Sequence, residues 1–159
     1  MDELMSGLTL AAALGAGLVA GIFFAFSAFI MSALKRLPPE GGISAMQSIN
    51  VAVLNRLFFA AFFGTAAGCL LLRVSVLFVW HEPGAIYRLI GSALYLVGTI
   101  LVTIVFNVPR NEALAAVETD SADGATRWAQ FVLGWTAWNH VRTAAALAAA
   151  ASLTIALCC

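Results

Sequence analysis

Four long apolar stretches alternate with short polar segments along the chain. Residues 4–34, 89–108 and 143–159 contain no charged side chain, and residues 57–80 contain only Arg73. Uncharged apolar runs of about 20 residues are typical of transmembrane helices. The pattern predicts an all-α protein, an antiparallel four-helix transmembrane bundle that forms one domain over residues 1–159. The predicted spans are about 7–34, 54–80, 87–108 and 137–158.

The first polar segment contains strong helix breakers. Pro38-Pro39 and Gly41-Gly42 end the first helix. Ser44 precedes Gln47 by three residues, which is the spacing of a capping box. The second helix is therefore predicted to begin near Ser44 and to run to about Trp80, and Gln47 has a purely structural explanation. Asn50 and Asn55 have no such explanation.

The third helix contains a proline near its end. Pro109 is predicted to break or kink this helix, and Asn107 and Asn111 flank it. Asparagine beside a break often caps the freed backbone groups, so a structural role is open for both. The last helix is predicted to begin near Ala125.

One face of the last helix carries aromatic and polar residues. At about 100° per residue, this face holds Trp128, Phe131, Trp135, Trp138, Asn139 and Arg142. His140 points elsewhere, and Ala145 and Ala149 continue the face as small residues. Tryptophans and a terminal arginine are typical of a membrane-interface belt. Polar groups that face a bundle interior are costly unless they serve a site, so both interpretations stay open for Asn139 and Arg142.

Small residues recur at helical spacing on two of the predicted helices. They are Ala13, Gly17, Gly21 and Ala25 on the first helix and Ala60, Gly64 and Gly68 on the second. Such stripes allow helix backbones to approach closely. We predict that helices 1 and 2 meet through Gly17/Gly21 and Gly64/Gly68, and that similar stripes could support a homo-oligomer.

Composition and charge agree with a membrane protein. Hydrophobic residues make up 62% of the chain and charged residues 10%, and the net charge is zero. No basic patch is present, which argues against a nucleic-acid partner. The first and third connections hold most of the cationic residues, namely Lys35, Arg36, Arg56, Arg110, Arg127 and Arg142. By the positive-inside rule these loops are predicted to be cytoplasmic, with both termini outside, in a bacterial inner membrane.

The sequence lacks the residues that several kinds of functional site require. His81 and His140 are predicted near opposite membrane faces, which excludes a bis-histidine haem site. No cluster of histidines and carboxylates suggests zinc or non-haem iron. No carboxylate lies in the middle of a span, as proton-coupled transport would need. We therefore predict no metal and no cofactor.

Four motifs, taken in order, resemble a known family. They are AGIFFAFSAFIMSALKRLP, AMQSIN, NVPRN and WTAWNHVRT. The chain resembles a family of small four-helix membrane proteins that includes the fungal anthrone oxygenases, over about residues 15–143 and the helix that follows. The resemblance implies that the protein is a cofactor-independent monooxygenase, which oxidises a lipophilic anthrone-type phenol with dioxygen.

The resemblance also implies site residues. The matching positions are Gln47, Asn50, Asn107, Asn111, Trp138, Asn139 and Arg142, with His140 in the last motif. Trp135 and Trp138 can stack on a flat substrate, Asn139 and Arg142 can stabilise an enolate oxygen, and His140 or an outside water is a candidate base. We expect the polar residues to converge in one pocket near the cytoplasmic face. The alternatives are a non-catalytic membrane scaffold, which would bind membrane lipid, and a binder of lipophilic aromatic or quinone ligands.

Overall fold

The chain forms helices throughout its regular structure. A computed structural model describes residues 3–78 and 80–159, and it contains no strand within them. The helices are α1 (Glu3–Lys35), α2 (Pro39–Ala52), α3 (Arg56–Val76), α4 (Ala85–Ala115) and α5 (Gly124–Cys158). All except α2 are long and apolar enough to cross a membrane. The prediction of an all-α chain with four helices able to span a membrane is confirmed.

Three of the long helices exceed the thickness of a bilayer. α1, α4 and α5 have 33, 31 and 35 residues. At about 1.5 Å per residue they are roughly 46–52 Å long, whereas the hydrocarbon core is about 30 Å thick. The predicted spans 7–34, 87–108 and 137–158 are thus apolar sections of longer helices. α3 ends at Val76, before the predicted end at 80, and Val79 lies outside the described residues.

Each long helix packs against two others. α1 and α4 both contact α3 and α5. Residue numbers that rise along one helix fall along its neighbour, which is the pattern of helices that run in opposite directions. The pairs that show this are Ala12/Gly68, Gly15/Thr65, Gly17/Ala150, Ser27/Asn139, Gly91/Leu153, Gly98/Ala145 and Asn107/Trp135.

The second predicted helix is two helices in the structure. α2 begins at Pro39, a residue type favoured in the first helical turn, and α3 begins at Arg56. The prediction of a helix start near Ser44 is therefore wrong. Gln47 does not cap its own helix but donates from Nε2 to the Leu114 and Val117 carbonyls, at 2.9 and 3.1 Å.

Asn55 begins the helix that follows this break. Its Oδ1 accepts the Leu57 and Phe58 amides, each at 3.0 Å, which makes Asn55 the N-cap of α3. The sequence interpretation gave Asn55 no capping role, because it placed this residue inside a continuous helix. The short segment between α2 and α3 explains both differences.

Pro109 does not break the third long helix. Proline removes a backbone donor and crowds the carbonyl four residues before it, which is here that of Val105. Val105 lies in a π-helical turn, Thr103–Asn107, where hydrogen bonds span five residues instead of four. α4 therefore widens ahead of Pro109 and continues to Ala115. Asn107 makes no cap bond there.

The predicted glycine contacts between α1 and α3 are largely wrong. A Cβ atom added at Gly21 or Gly64 would meet no described atom within 4 Å, and one at Gly17 would face Ala150 of α5. The close approach of α1 and α3 lies elsewhere, at Gly15 against Thr65 and at Gly68 against Ala12. The spacing of four identified small residues correctly but did not show which face each helix turns to its neighbour. The homo-oligomer stays a prediction.

We expect Gly98→Leu to destabilise the bundle strongly. A Cβ atom at residue 98 would overlap the Ala145 side chain, which is a rigid extension of the α5 backbone. Overpacking of this kind costs about 1–3 kcal/mol or more. Gly64→Leu is the matched control, because its Cβ would meet open space. Thermal unfolding of both variants in detergent tests this, and equal melting temperatures would contradict the packing.

Candidate active site

Asn139 and Arg142 of α5 face the interior of the bundle. Asn139 is fully buried and Arg142 is 4% exposed, and Trp128, Phe131 and Trp135 on the same face are buried with them. Trp138 is only partly buried, and His140 is exposed on a different side. The spacing of the last motif predicted this division of faces. An arginine that snorkels to the interface would be far more exposed.

Asn139 and Arg142 form one hydrogen-bonded unit that ties three helices together. Asn139 Nδ2 donates to the Phe23 carbonyl at 2.8 Å and to Ser27 Oγ at 2.7 Å, both on α1. Arg142 Nη2 donates to Asn139 Oδ1 at 2.8 Å, and Nη1 donates to Thr103 Oγ1 of α4 at 3.3 Å. The two side chains therefore depend on each other for their positions.

The positive charge of Arg142 is enclosed by aromatic rings. Its Cζ atom lies 4.0 Å from the centroid of Phe23 and 5.0 Å from that of Trp135. The ion pairs found among the described residues join Arg88 to Glu82 and Arg127 to Asp123. Among the described residues, Arg142 thus has no carboxylate partner and its buried Nε has no acceptor. A buried charge of this kind is costly unless something compensates for it.

Two π-helical turns supply the groups that surround this unit. The turn Phe26–Ile30 in α1 starts with Phe26, whose ring lies 5.5 Å from that of Trp135, and it includes Ser27. The turn Thr103–Asn107 in α4 provides Thr103 and Phe106. π-helical turns are rare and are frequent at functional sites. Their position on both sides of α5 supports a functional role for this region.

Trp138 and Asn107 each make a contact between α4 and α5 close to the same unit. The Trp138 ring stacks on Phe106 with centroids 3.5 Å apart. Asn107 Nδ2 donates to the Trp135 carbonyl at 3.2 Å, while its Oδ1 is buried without a partner among the described residues. Trp138 is therefore already stacked on a protein ring. This stacking occupies one face of the Trp138 ring.

A cavity of about 460 Å³ opens between α1 and α5 on the His140 side. Its lining includes Ser27, Lys35, Thr136, Ala137 and His140. Ser27 also accepts the hydrogen bond from Asn139, so this hydroxyl connects the cavity wall to the buried pair. Thr136 Oγ1 is buried without a partner among the described residues. Ser27 and Lys35, eight residues apart on α1, span about 12 Å along the cavity.

Comparison with known families identifies the chain. The sequence profile of the family described as anthrone oxygenase matches residues 55–152, more than half of the chain. The chain belongs to the anthrone oxygenase family. The match covers α3, α4 and most of α5, and so includes the motifs NVPRN and WTAWNHVRT. The searches of curated proteins and of solved structures gave no match.

The site residues that the family resemblance implies lie in more than one environment. Asn139, Arg142, Trp135 and Asn107 are connected by the contacts above, and His140 lies in the adjacent cavity. Gln47 instead docks α2 onto the end of α4. Asn50 Nδ2 and Asn111 Oδ1 are buried, and neither has a partner among the described residues.

The sequence interpretation missed Ser27 and Thr103 as members of this site, and it did not predict that Phe23 contacts Arg142 and Asn139. Ser27 and Thr103 are hydroxyl residues within long apolar helices, and that alone is a weak signal, because such hydroxyls often bond to their own backbone. Thr103 does so, donating to the Thr99 carbonyl at 2.7 Å. Phe23 contributes a carbonyl and a ring face, which no residue pattern indicates.

The described residues contain no group of three or more histidine, cysteine, aspartate or glutamate side chains that could hold a metal ion. The arrangement can instead stabilise a negative charge. It combines a buried cation, a polarised amide, hydroxyl groups and a nearby imidazole.

Proposed function

We propose that this protein oxidises a lipophilic polycyclic phenol of the anthrone type with dioxygen, in the cavity between α1 and α5. The observation that carries the proposal is Arg142, a buried cation with no carboxylate partner among the described residues, held beside a cavity that contains a histidine. An enolate anion bound in this cavity would compensate for that charge. The family membership supports the same reaction class.

The size and lining of the cavity suit such a substrate. Small-molecule sites are typically about 300–1,000 Å³, and this cavity has about 460 Å³. Met31, Val132, Leu133 and Ala137 offer apolar contacts to fused rings. The hydroxyl of Thr136 can donate to phenolic or enolate oxygens, and that of Ser27 can do so by turning away from Thr143 Oγ1, which lies 3.3 Å from it.

The proposed reaction begins with proton removal by His140. Imidazole is the side chain used most often as a general base, and His140 lines the cavity directly. Loss of a proton from the benzylic carbon gives an enolate. Its oxygen accepts from Ser27 Oγ in our proposal, and Arg142 stabilises the negative charge through Asn139 and Ser27. Asn139 and Arg142 are then positioning residues, and Ser27 and His140 touch the substrate.

Dioxygen then reacts with the anion. The enolate transfers one electron to dioxygen, and the two radicals combine to form a carbon–oxygen bond and a peroxide anion, which takes back the proton from His140. His140 then removes the remaining benzylic proton, the oxygen–oxygen bond breaks with loss of hydroxide, and the hydroxide takes up this proton to form water, leaving the quinone carbonyl. One oxygen atom enters the product and the other becomes water. Because the substrate supplies all the electrons, we propose that no metal, haem or flavin is required.

A structural role for the buried pair is the second candidate. Asn139 bonds to α1 and to Arg142, which bonds to α4, so the pair could be a polar lock between helices in a non-catalytic scaffold or binder. The two roles differ in one measurable respect. A lock contributes chiefly to stability, whereas an active-site cation contributes to turnover.

We expect Ala137→Trp to lower both substrate oxidation and binding of the anthraquinone product. The new ring would fill the cavity, and a misplacement of about 1 Å can cost on the order of 100-fold in rate. Ala148→Trp is the matched control, an exposed alanine of the same helix outside the cavity. Dioxygen uptake with a panel of anthrones, and fluorescence binding of the product, are the measurements. Equal activity in both variants would mean that the substrate does not use this cavity.

A further inference from the structure

A second cavity lies between the end of α4 and the beginning of α5. It has a volume of about 310 Å³, and its lining includes Arg110, Leu114, Val117, Arg127, Gln130 and Phe131. None of these residues belongs to the site proposed for oxidation. The cavity has a cationic and polar part with an apolar part beside it.

Arg110 is held in place by the backbone of both helices. Its Nη1 donates to the Phe106 carbonyl at 2.6 Å. On the α5 side it rests against Gly134, where a Cβ atom would lie only 3.0 Å from Arg110 Nε. A larger residue at 134 would push the guanidinium away. Glycine therefore provides a cradle for this side chain.

The charge of Arg110 has no carboxylate partner among the described residues. Arg127, on the other wall, pairs with Asp123 through Nε. The two guanidinium groups thus have one carboxylate partner between them, which leaves a net positive charge. A guanidinium presents five N–H donors, and Arg110 uses one in a hydrogen bond to a described residue. Phosphate oxygens match this planar donor geometry well.

The position of the cavity along α4 places it near a membrane surface in our proposal. α4 begins at Ala85, so Arg110 is about 25 residues, or roughly 38 Å, along it. That distance exceeds the hydrocarbon thickness of about 30 Å. Arg127 lies within the first turn of α5. Both arginines are therefore expected at headgroup level, where phosphate groups with apolar chains are abundant.

We propose that this cavity binds the phosphate group of an anionic amphiphile, with Arg110 as the main anchor and Arg127 and Gln130 as additional donors. Leu114, Val117 and Phe131 would contact the apolar portion. A lipid phosphodiester and free phosphate both carry the oxygens that these donors would bind. The apolar lining, and the expected position at the level of the headgroups, favour the lipid over free phosphate. The site is independent of the proposed oxidation.

Native mass spectrometry of the detergent-purified protein tests this site, with dioleoyl phosphatidylglycerol as the probe. We expect one tightly bound lipid per chain, and a loss of affinity of about tenfold or more in Arg110→Gln, because a charge-assisted hydrogen bond is lost. Arg56→Gln removes the same charge from an exposed residue outside the cavity and should bind like the wild type. Arg127→Gln, a change at an exposed residue, should give a smaller loss and provides a second test if Arg110→Gln fails to fold.

Two further probes distinguish the sources of the phosphate. Dioleoyl phosphatidylcholine, which has no net charge, should bind at least several-fold more weakly. Inorganic phosphate should compete only at much higher concentration. Equal binding of both lipids, or equal losses in Arg110→Gln and Arg56→Gln, would overturn the proposal. Competition by inorganic phosphate at the affinity of the lipid would overturn the lipid assignment.

Discussion

Arg142→Met should lower the rate of anthrone oxidation by about 100-fold while leaving the melting temperature close to that of the wild type. The rate effect is the lower end of the range for loss of one oxyanion donor, because Arg142 acts on the substrate through Asn139 and Ser27. Steady-state dioxygen uptake and thermal unfolding, measured on the same preparation, test both parts.

The stability part follows from opposing terms of similar size. Methionine removes a buried charge that has no carboxylate partner, which relieves a desolvation cost of several kcal/mol. It also removes cation–π contacts with Phe23 and Trp135, each worth up to about 2 kcal/mol, and leaves Asn139 Oδ1 unpaired at a cost of about 1–3 kcal/mol. The net change in the free energy of unfolding should therefore be small.

Arg142→Lys is the matched variant, because it keeps the charge and loses the planar donor pair. We expect it to restore part of the rate. A large fall in melting temperature for Arg142→Met, with activity lost in proportion to unfolding, would instead support the polar lock. In that case the proposed function loses the observation on which it rests.

His140→Gln should lower the rate by about 100- to 10,000-fold, the usual contribution of a general base. The substitution keeps a polar side chain of similar length at a position that is exposed on the cavity side. Product binding should therefore change little. Steady-state rates and product affinity separate the loss of the base from the loss of the site.

The pH dependence provides a readout that a structural role would not change. The residual rate of His140→Gln should rise continuously with pH, since hydroxide replaces the missing base, and added imidazole should restore part of the activity. Thr136→Ala, in the same cavity but without a base, should keep the pH profile of the wild type. If His140→Gln has full activity, an outside water or another group removes the proton.

The helical architecture could be predicted from the sequence because the bilayer imposes simple rules. Long uncharged runs such as 89–108 need no knowledge of tertiary contacts to be identified as membrane-spanning helices. The aromatic and polar face of α5 was also predictable, since the 3.6-residue period places Trp135, Asn139 and Arg142 on one side of the helix. These features depend on local sequence alone.

The features that the sequence did not predict depend on contacts between distant segments. Gln47 has the spacing of a cap, but its amide reaches carbonyls 67 and 70 residues away. Gly21 and Gly64 belong to regular stripes, yet both meet open space. Pro109 was expected to interrupt its helix, but a π-helical turn precedes it and the helix continues. For Gln47 and the glycines, contacts between helices decide between roles that the residue type permits equally. For Pro109 the π-helical turn ahead of it in the same helix decides.

Arg110 illustrates the same limit. Its charge contributed to the predicted topology, but its place against Gly134 could be recognised only when α4 and α5 were seen together. A glycine within an apolar helix is usually interpreted as a packing residue.

Isotope labelling of the product tests the central proposal most directly. The purified protein is given an anthrone under ¹⁸O₂, and the anthraquinone is analysed by mass spectrometry beside reactions that contain Arg142→Met or no protein. We expect a protein-dependent rate, one labelled oxygen per anthraquinone and one dioxygen consumed per product. We also expect the rate to persist after treatment with a chelator, with no flavin or haem absorbance in the protein. A rate equal to that without protein, or a rate lost on chelation and restored by iron or copper, would contradict the proposal.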